Sequence, residues 1–282
     1  MKENLVIIIL FIVVTIFLYF KYGLESDAGL AGWRSSGYGY QQDAGPDYWI
    51  DVANNISSKL AGYSPSGIWI LGVKDGTSCL LQFPGNDQEY ITFSDNDMNE
   101  QYLDAFDEAG LKVWLQAEPA NADIETLIDL VLSRYSHHTC VIGFGIDVEW
   151  IKDEEYEDGK PVTSAEVGIW LGKIKAYNPN YKLFLKHWEI GKMPETHLKD
   201  VVYICDDQEF DNYEDMIDRF EDWGEYFSDA EVGFQYGYES DRQIWQSFSD
   251  PAGQIGNDIV KRVPNCLGLY WVDFTITDVF QP

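Results

Sequence analysis

Positive charge is scarce in this chain. Nineteen Lys and Arg stand against 48 Asp and Glu over 282 residues, a formal net charge of -29. Such a surface repels a phosphate backbone, which disfavours nucleic acid and anionic polymers as partners. Cysteine is equally sparse. Cys79, Cys140, Cys205 and Cys266 show no CxxC spacing, so a thiolate zinc site is disfavoured, leaving buried free thiols or, in an oxidising compartment, one or two disulfides. Cys140 and Cys266 start strand-like runs on opposite sides of the expected fold, which argues against pairing those two. No GxGxxG or P-loop follows any strand-like run, and no nucleophile elbow is present. Dinucleotide binding and acyl transfer are therefore disfavoured, and no cofactor is called for.

A long apolar run occurs once near the start. Asn4 to Phe20 is interrupted only by Asn4, Thr15 and Tyr19 and is flanked by Lys2 and Lys21; its length suits a transmembrane helix with help from its flanks. The small-residue stretch Ala28 to Ala31 lies too far downstream for an ordinary signal-peptide site. The expected organisation is an uncleaved membrane anchor (1–21), a flexible linker (22–46) rich in Gly, Ser and Tyr, and one domain (47–282) outside the cytoplasm. Aromatics are plentiful, with 10 Trp and 18 Tyr, enough for a large core, a ligand platform, or both.

Within the domain, helix-like and strand-like runs alternate. Ile68 to Val73 reads as a first strand, and the apolar pieces between Lys74 and Phe93 read as a hairpin-like insertion leading into a second. Strands three to eight follow at Lys112 to Glu118, Val141 onward, Lys182 to His187, Val201 to Asp206, Glu231 to Tyr236 and Leu267 to Asp273. Helical spacing covers Asp47 to Ala61, Asn99 to Ala109, Ile124 to Tyr135, Ser164 to Tyr177, Tyr213 to Tyr226 and Arg242 to Phe248. Eight strands in such an order predict a closed parallel (β/α)8 TIM-type barrel preceded by an N-terminal transmembrane helix; a doubly wound open sheet is the competing fold.

In a barrel of this kind chemistry sits at the C-terminal strand ends. The fourth strand, VIGFGIDVEW, ends in Asp147 and Glu149. Residues two apart share a strand face, which places Gly143, Gly145, Asp147 and Glu149 inward and Ile142, Phe144, Ile146 and Val148 outward. Two close carboxylates raise the proton affinity of one of them, the split that glycosidic cleavage requires. A metal-binding pair helped by Asp206 and Asp207, or a structural charge cluster, are the other readings. Further polar strand ends offer substrate-binding candidates: Gln116 and Glu118, His187 beside Lys186, Asp206 and Asp207, Gln235 and Tyr236, and Trp271 with Asp273. His137 and His138 precede strand four at the opposite barrel end and read as surface.

GFGIDVEW resembles the strand-four signature DGxDxDxE of the chitinase and endo-N-acetylglucosaminidase family of glycoside hydrolases. LKVWLQAEP resembles that family's third strand, and LGLYWVDF its last. The resemblance implies Glu149 as general acid, Asp147 as the residue assisting the substrate acetamido group, and Trp271 as the floor under the sugar. Gly145 stands where the family has its outer Asp. A second register, matching GIDIDWE, puts Asp147 and Glu149 on the two Asp positions and Ile151 on the acid, which implies an inactive glycan-binding or scaffold barrel. The DxE ending is also similar to barrel muramidases. Together these imply a membrane-anchored, extracytoplasmic glycosidase that acts with retention on an N-acetylhexosamine glycan, with the membrane as its other partner.

Overall fold

The computed structural model describes residues 29–36, 38–39 and 44–281. The expected anchor falls outside these; among the described residues no helix is long and apolar enough to cross a membrane. Among the described residues ten strands form one sheet: β1 (Gly29–Ser35), β2 (Tyr63–Asp75), β3 (Ser78–Leu81), β4 (Ile91–Phe93), β5 (Lys112–Ala117), β6 (Val141–Asp147), β7 (Lys182–Lys186), β8 (Val201–Cys205), β9 (Glu231–Tyr236) and β10 (Cys266–Val272). Their order is β1-β10-β9-β8-β7-β6-β5-β2-β3-β4, and β1 also pairs with β2. That last pairing closes eight parallel strands into a barrel, with α1 (Gly45–Ser57), α2 (Glu100–Ala109), α3 (Ile124–Tyr135), α4 (Ser164–Tyr177), α5 (Tyr213–Tyr226), α6 (Arg242–Trp245), α7 (Pro251–Arg262) and α8 (Ile276–Val279) in the connections.

The barrel is present, but two of its strands differ from the sequence expectation. Gly29–Ser35 supplies the first strand from inside the stretch expected as a linker, and α1 begins there too, at Gly45. The second strand expected between Lys74 and Phe93 is outside the barrel. Instead β2 runs on past the barrel wall, pairs antiparallel with β3, and β3 carries β4, making a three-stranded arm. One strand missed and one counted in excess left the total at eight. α7 was not expected either.

Helix starts follow local chemistry. Asp123 accepts from Thr126 N, Asn212 from Asp215 N and Asp250 from Gly253 N, and Thr163 with Glu166 forms a reciprocal capping box. The apolar helix faces and the outer strand faces form one large core that includes Phe144, Ile146, Val148 and Trp271. A smaller cluster, including Leu30, Ile68, Trp114, Phe184, Ile204 and Tyr270, fills the barrel itself. Ile142 joins this inner cluster rather than the outer face expected for it, because the β5–β6 register shifts between Val113 and Trp114.

The two inward glycines of β6 are explained by what fills the barrel. A Cβ on Gly143 would lie 2.1 Å from Lys182 O and 2.6 Å from the Trp114 ring, and one on Gly145 would lie 1.9 Å from the Phe184 ring. Bulky aromatics from β5 and β7 thus occupy the space that β6 leaves empty. All four cysteines are free thiols; Cys79, Cys140 and Cys205 are buried.

Candidate active site

Lys186, the last residue of β7, stands in register with Asp147, the last residue of β6. Its Nζ lies 2.9 Å from Asp147 Oδ2, 3.2 Å from Glu149 Oε2 and 2.5 Å from Asp206 Oδ2. One ammonium, at the end of β7, therefore gathers carboxylates from the ends of the two flanking strands, β6 and β8. Gln116 Nε2 on β5 donates to Asp147 Oδ2 at 3.3 Å. Glu149 belongs to a single 3-10 turn, Val148–Trp150, rather than to the strand. Its side chain is 22% exposed, whereas those of Asp147 and Asp206 are at 0% and 4%. Among the three, only Glu149 is open to an incoming group.

Three further charged side chains stand at the same barrel end. Glu118 accepts from Tyr38 OH and from Lys74 N, both at 2.8 Å. Arg34, on β1, pairs with Asp273 after β10 at 3.2 Å, and Asp273 also accepts from Ser36 N at 2.7 Å. A cavity of about 480 Å³ opens over these groups, bordered by Tyr38, Trp150, Tyr238 and Phe274 as well as Glu118, Glu149, Lys186 and Asp206. A second, of about 370 Å³, is lined by Glu149, Trp188, Asp206, Asp207, Gln208 and Glu209. Glu149 and Asp206 border both, so they stand where the two hollows meet.

Burial pushes the Asp147 carboxyl well above the usual range; Lys186 opposes the shift, and Glu149 and Asp206 add to it. Glu149 is raised too, first by burial, against Lys186 and with Asp206. Lys186 is held well above an ordinary lysine: burial works against its charge, but Asp147, Asp206 and Glu149 outweigh it. Burial and Glu118 raise the Tyr38 hydroxyl. Among the described residues, the buried Asp147 Oδ1, Asp206 Oδ1, Gln116 Oε1 and Gln235 Nε2 have no hydrogen-bond partner in the protein. Unpaired buried polar atoms are costly, and these four, three acceptors and one donor, are sealed from solvent at the barrel end that carries the site.

Of the expected site residues, the structure brings together Asp147, Glu149, Asp206, Gln116 and Glu118, with Gln235 buried beneath Tyr238, whose hydroxyl donates to Gln235 Oε1 at 3.2 Å. Asp207 turns aside to Arg219 at 2.6 Å and reaches the second hollow alone. His187 is fully buried; its Nε2 meets Asp158 O at 2.8 Å, its Nδ1 accepts from Glu189 N at 2.7 Å, and burial lowers its pKa. It braces two loops instead of facing the cavity. Trp271 and Tyr236, expected at the site, lie elsewhere. Both point into the outer core, where the two rings pack edge to face, Trp271 bonds Thr275 Oγ1 at 3.0 Å and Tyr236 OH bonds Ala252 O at 3.3 Å. Neither can underlie a sugar in the cavity. Ile151, the acid position of the second register, is buried in the outer core as well.

Arg34, Tyr38, Trp150, Tyr238 and Phe274 border the cavity without having been marked in the sequence, and Lys186 had no role there. Arg34 and Tyr38 were hidden in the presumed linker. Trp150 directly follows Glu149 and carries Lys74 Nζ 5.2 Å from its ring centre, so the DVEW string itself held that signal.

No family model and no curated protein matches the sequence. Among solved structures, the FMN-binding beta-glucuronidase from Facaelibacterium prausnitzii L2-6 is similar over 88% of this chain and 38% of its own, at 14% identity and a TM-score of 0.48. The beta-D-glucuronidase of Dictyoglomus thermophilum covers 80% and 39% at 11% and 0.44. A GH18 chitinase from Pseudoalteromonas aurantia covers 89% and 98% at 10% and 0.42. The chain spans about two fifths of the length of those two glucuronidases. Likeness at this level assigns no activity; the barrel stands on its own strand pairing.

Proposed function

We propose that the chain is a glycoside hydrolase that cleaves an N-acetylhexosamine-containing glycan with retention. The observation that carries the reading is the position of Glu149: a carboxyl of raised proton affinity, the most open of its cluster, at the junction of two hollows. A glycan lying across both would present its linkage there, and Glu149 would protonate the leaving oxygen. The carboxylates of Glu149 and Asp206 both touch Lys186 Nζ, so their nearest oxygens are no further apart than those two contacts laid end to end. Retention rests on the strand-four resemblance, which implies that the substrate's own acetamido group is the nucleophile, so no spacing of two enzyme carboxylates decides it.

Asp147 takes the part of assistant. Its Oδ2 is held by Lys186 and Gln116, and from beneath Glu149, sealed from solvent, it acts on the site through its charge. With Glu149 holding its proton, Lys186 is still outnumbered by Asp147 and Asp206, and negative charge there favours the positive charge that develops on the sugar. Trp150, Tyr38 and Phe274 are the stacking surfaces. The sugar class rests on the strand-four resemblance. The same proposal tethers the barrel outside the cytoplasm through residues 4–20, which protease accessibility on intact cells would test.

The test uses chito-oligosaccharides and peptidoglycan fragments with wild-type protein and Glu149→Gln, following the product anomer by proton NMR. We expect retention, and a loss of about 10²–10⁴-fold in kcat for the variant; full activity in Glu149→Gln would remove the assignment. One observation favours the runner-up, an inactive glycan-binding barrel: Lys186 engages all three acids at once, which neutralises much of their charge. That reading predicts calorimetric binding of the same oligosaccharides without turnover at any pH.

A further inference from the structure

At the other end of β6 from the carboxylates, the turn between α3 and β6 carries His137 and His138 against Glu100, the first residue of α2. Each ring has its Nδ1 already committed. His137 Nδ1 lies 2.9 Å from Arg134 O, a group that only accepts, so this nitrogen carries the hydrogen. His138 Nδ1 lies 2.8 Å from Asp107 Oδ2, and the other Asp107 oxygen accepts from Thr139 Oγ1 at 2.9 Å and from Cys140 N at 2.6 Å. In the neutral rings both Nε2 atoms therefore present lone pairs.

Those two lone pairs converge on a carboxylate. His137 Nε2 is 3.2 Å and His138 Nε2 is 3.5 Å from the same Glu100 Oε1, and all three atoms lie within 4.8 Å of one another. His138 is 98% buried, and its Nε2 has no hydrogen-bond partner among the described residues. Three acceptors facing each other repel unless a proton or a metal ion joins them, and a single proton serves only one of the two nitrogens. Ligands about 2.0–2.1 Å from a tetrahedral zinc stand roughly 3.3 Å apart, close to both distances here. A histidine whose second nitrogen is held by a carboxylate or a backbone carbonyl is also the usual outer support of a bound metal.

We propose that Glu100, His137 and His138 form a binding site for a divalent transition metal ion of the zinc class, with Asp107 and Arg134 O orienting the two imidazoles. Imidazole nitrogens with one carboxylate select such an ion over magnesium or calcium, which take oxygen ligands. The ion would tie the start of α2 to the turn entering β6. Three protein ligands leave a fourth position for water, on the exposed His137 side. The site is independent of the glycosidase reading.

The test is titration of untagged, metal-free full-length protein with Zn²⁺ by calorimetry, and with Co²⁺ by visible absorption. Wild type should bind one equivalent, with the intense Co²⁺ bands of a four-coordinate site, unaffected by excess Mg²⁺. Glu100→Gln and His137→Ala alter exposed side chains, so their folding is secure, and each should weaken binding at least about tenfold; Asp107→Asn should weaken it about 10–100-fold. Absence of saturable Zn²⁺ binding to wild type overturns the proposal, and so does undiminished affinity in the Glu100→Gln, His137→Ala double variant.

Discussion

Lys186→Met removes the one cation that three carboxylates share. Lys186 and Asp147 are sealed from solvent and 2.9 Å apart, with Asp206 at 2.5 Å and Glu149 at 3.2 Å. Taking one partner from a buried ion pair costs about 3–5 kcal/mol, and that is the expected deficit near neutral pH. The deficit should also depend on pH, with a sign that follows from the carboxyls. Asp147 and Glu149 hold protons more tightly folded than unfolded. Stability from such groups falls as pH climbs from the ordinary carboxylate range through their raised folded values, because in that window the folded state binds the extra proton.

Losing the ammonium raises both carboxyls further and extends that window upward, each added pKa unit costing about 1.4 kcal/mol once they are forced to ionise. Lys186 adds no slope of its own there, since below its unfolded pKa it is charged in both states. Urea unfolding of wild type and variant at about pH 5 and about pH 8 should therefore show the smaller deficit at the lower pH, with m unchanged. A deficit equal at both pH values, or one under about 1 kcal/mol at the higher as for an exposed pair, would refute the reasoning.

Three further outcomes follow from the geometry. Trp150→Ala should raise KM with little change in Tm, whereas Trp271→Ala should cost about 3–5 kcal/mol of stability by emptying the outer core; weakened substrate binding in a fully stable Trp271→Ala protein would restore that residue to the site. Gly145→Ala drives a methyl into the Phe184 ring and should destabilise by about 1–3 kcal/mol, part of which Phe184→Leu in the same chain recovers if the clash is the cause. The alkaline limb of kcat/KM should lie above the ordinary glutamate value, since Glu149 must stay protonated to act, and Asp206→Asn should move that limb down by removing a charge that raises Glu149; an unmoved limb would assign the titration elsewhere.

The amphipathic helices were legible because their apolar spacing matches one buried stripe, and α3, α4 and α5 fall at the boundaries their sequences mark. α7 was not, because small residues replace large ones on its buried face: Ala252, Gly253 and Gly256 pack there beside Ile255 and Ile259. β1, GLAGWRS, hid for a related reason. A Cβ on Gly32 would meet Ser66 O, so close strand contact requires a residue that reads as linker composition. Trp271 shows the limit of face assignment. β10 is buried on both sides, so no alternation tells which of Tyr270 and Trp271 points inward. Asp147 and Glu149 were legible because acids ending an apolar strand have few other places to go, while their cation, on a neighbouring strand, is a matter of register that spacing does not reveal.

The pairing of β1 with both β2 and β10 also bears on the order of assembly. Leu30 stands opposite Gly268 and Arg34 opposite Val272, so the closing seam joins segments at nearly opposite ends of the chain. A nascent chain emerging from the ribosome can lay β1 against β2 early, but the other edge of β1 waits, open and ready to pair, until β10 has been synthesised. High contact order of this kind slows folding. The Arg34–Asp273 bridge across that seam then forms only when the ring is complete, so the rim of the cavity and the closure of the barrel are finished by the same late event.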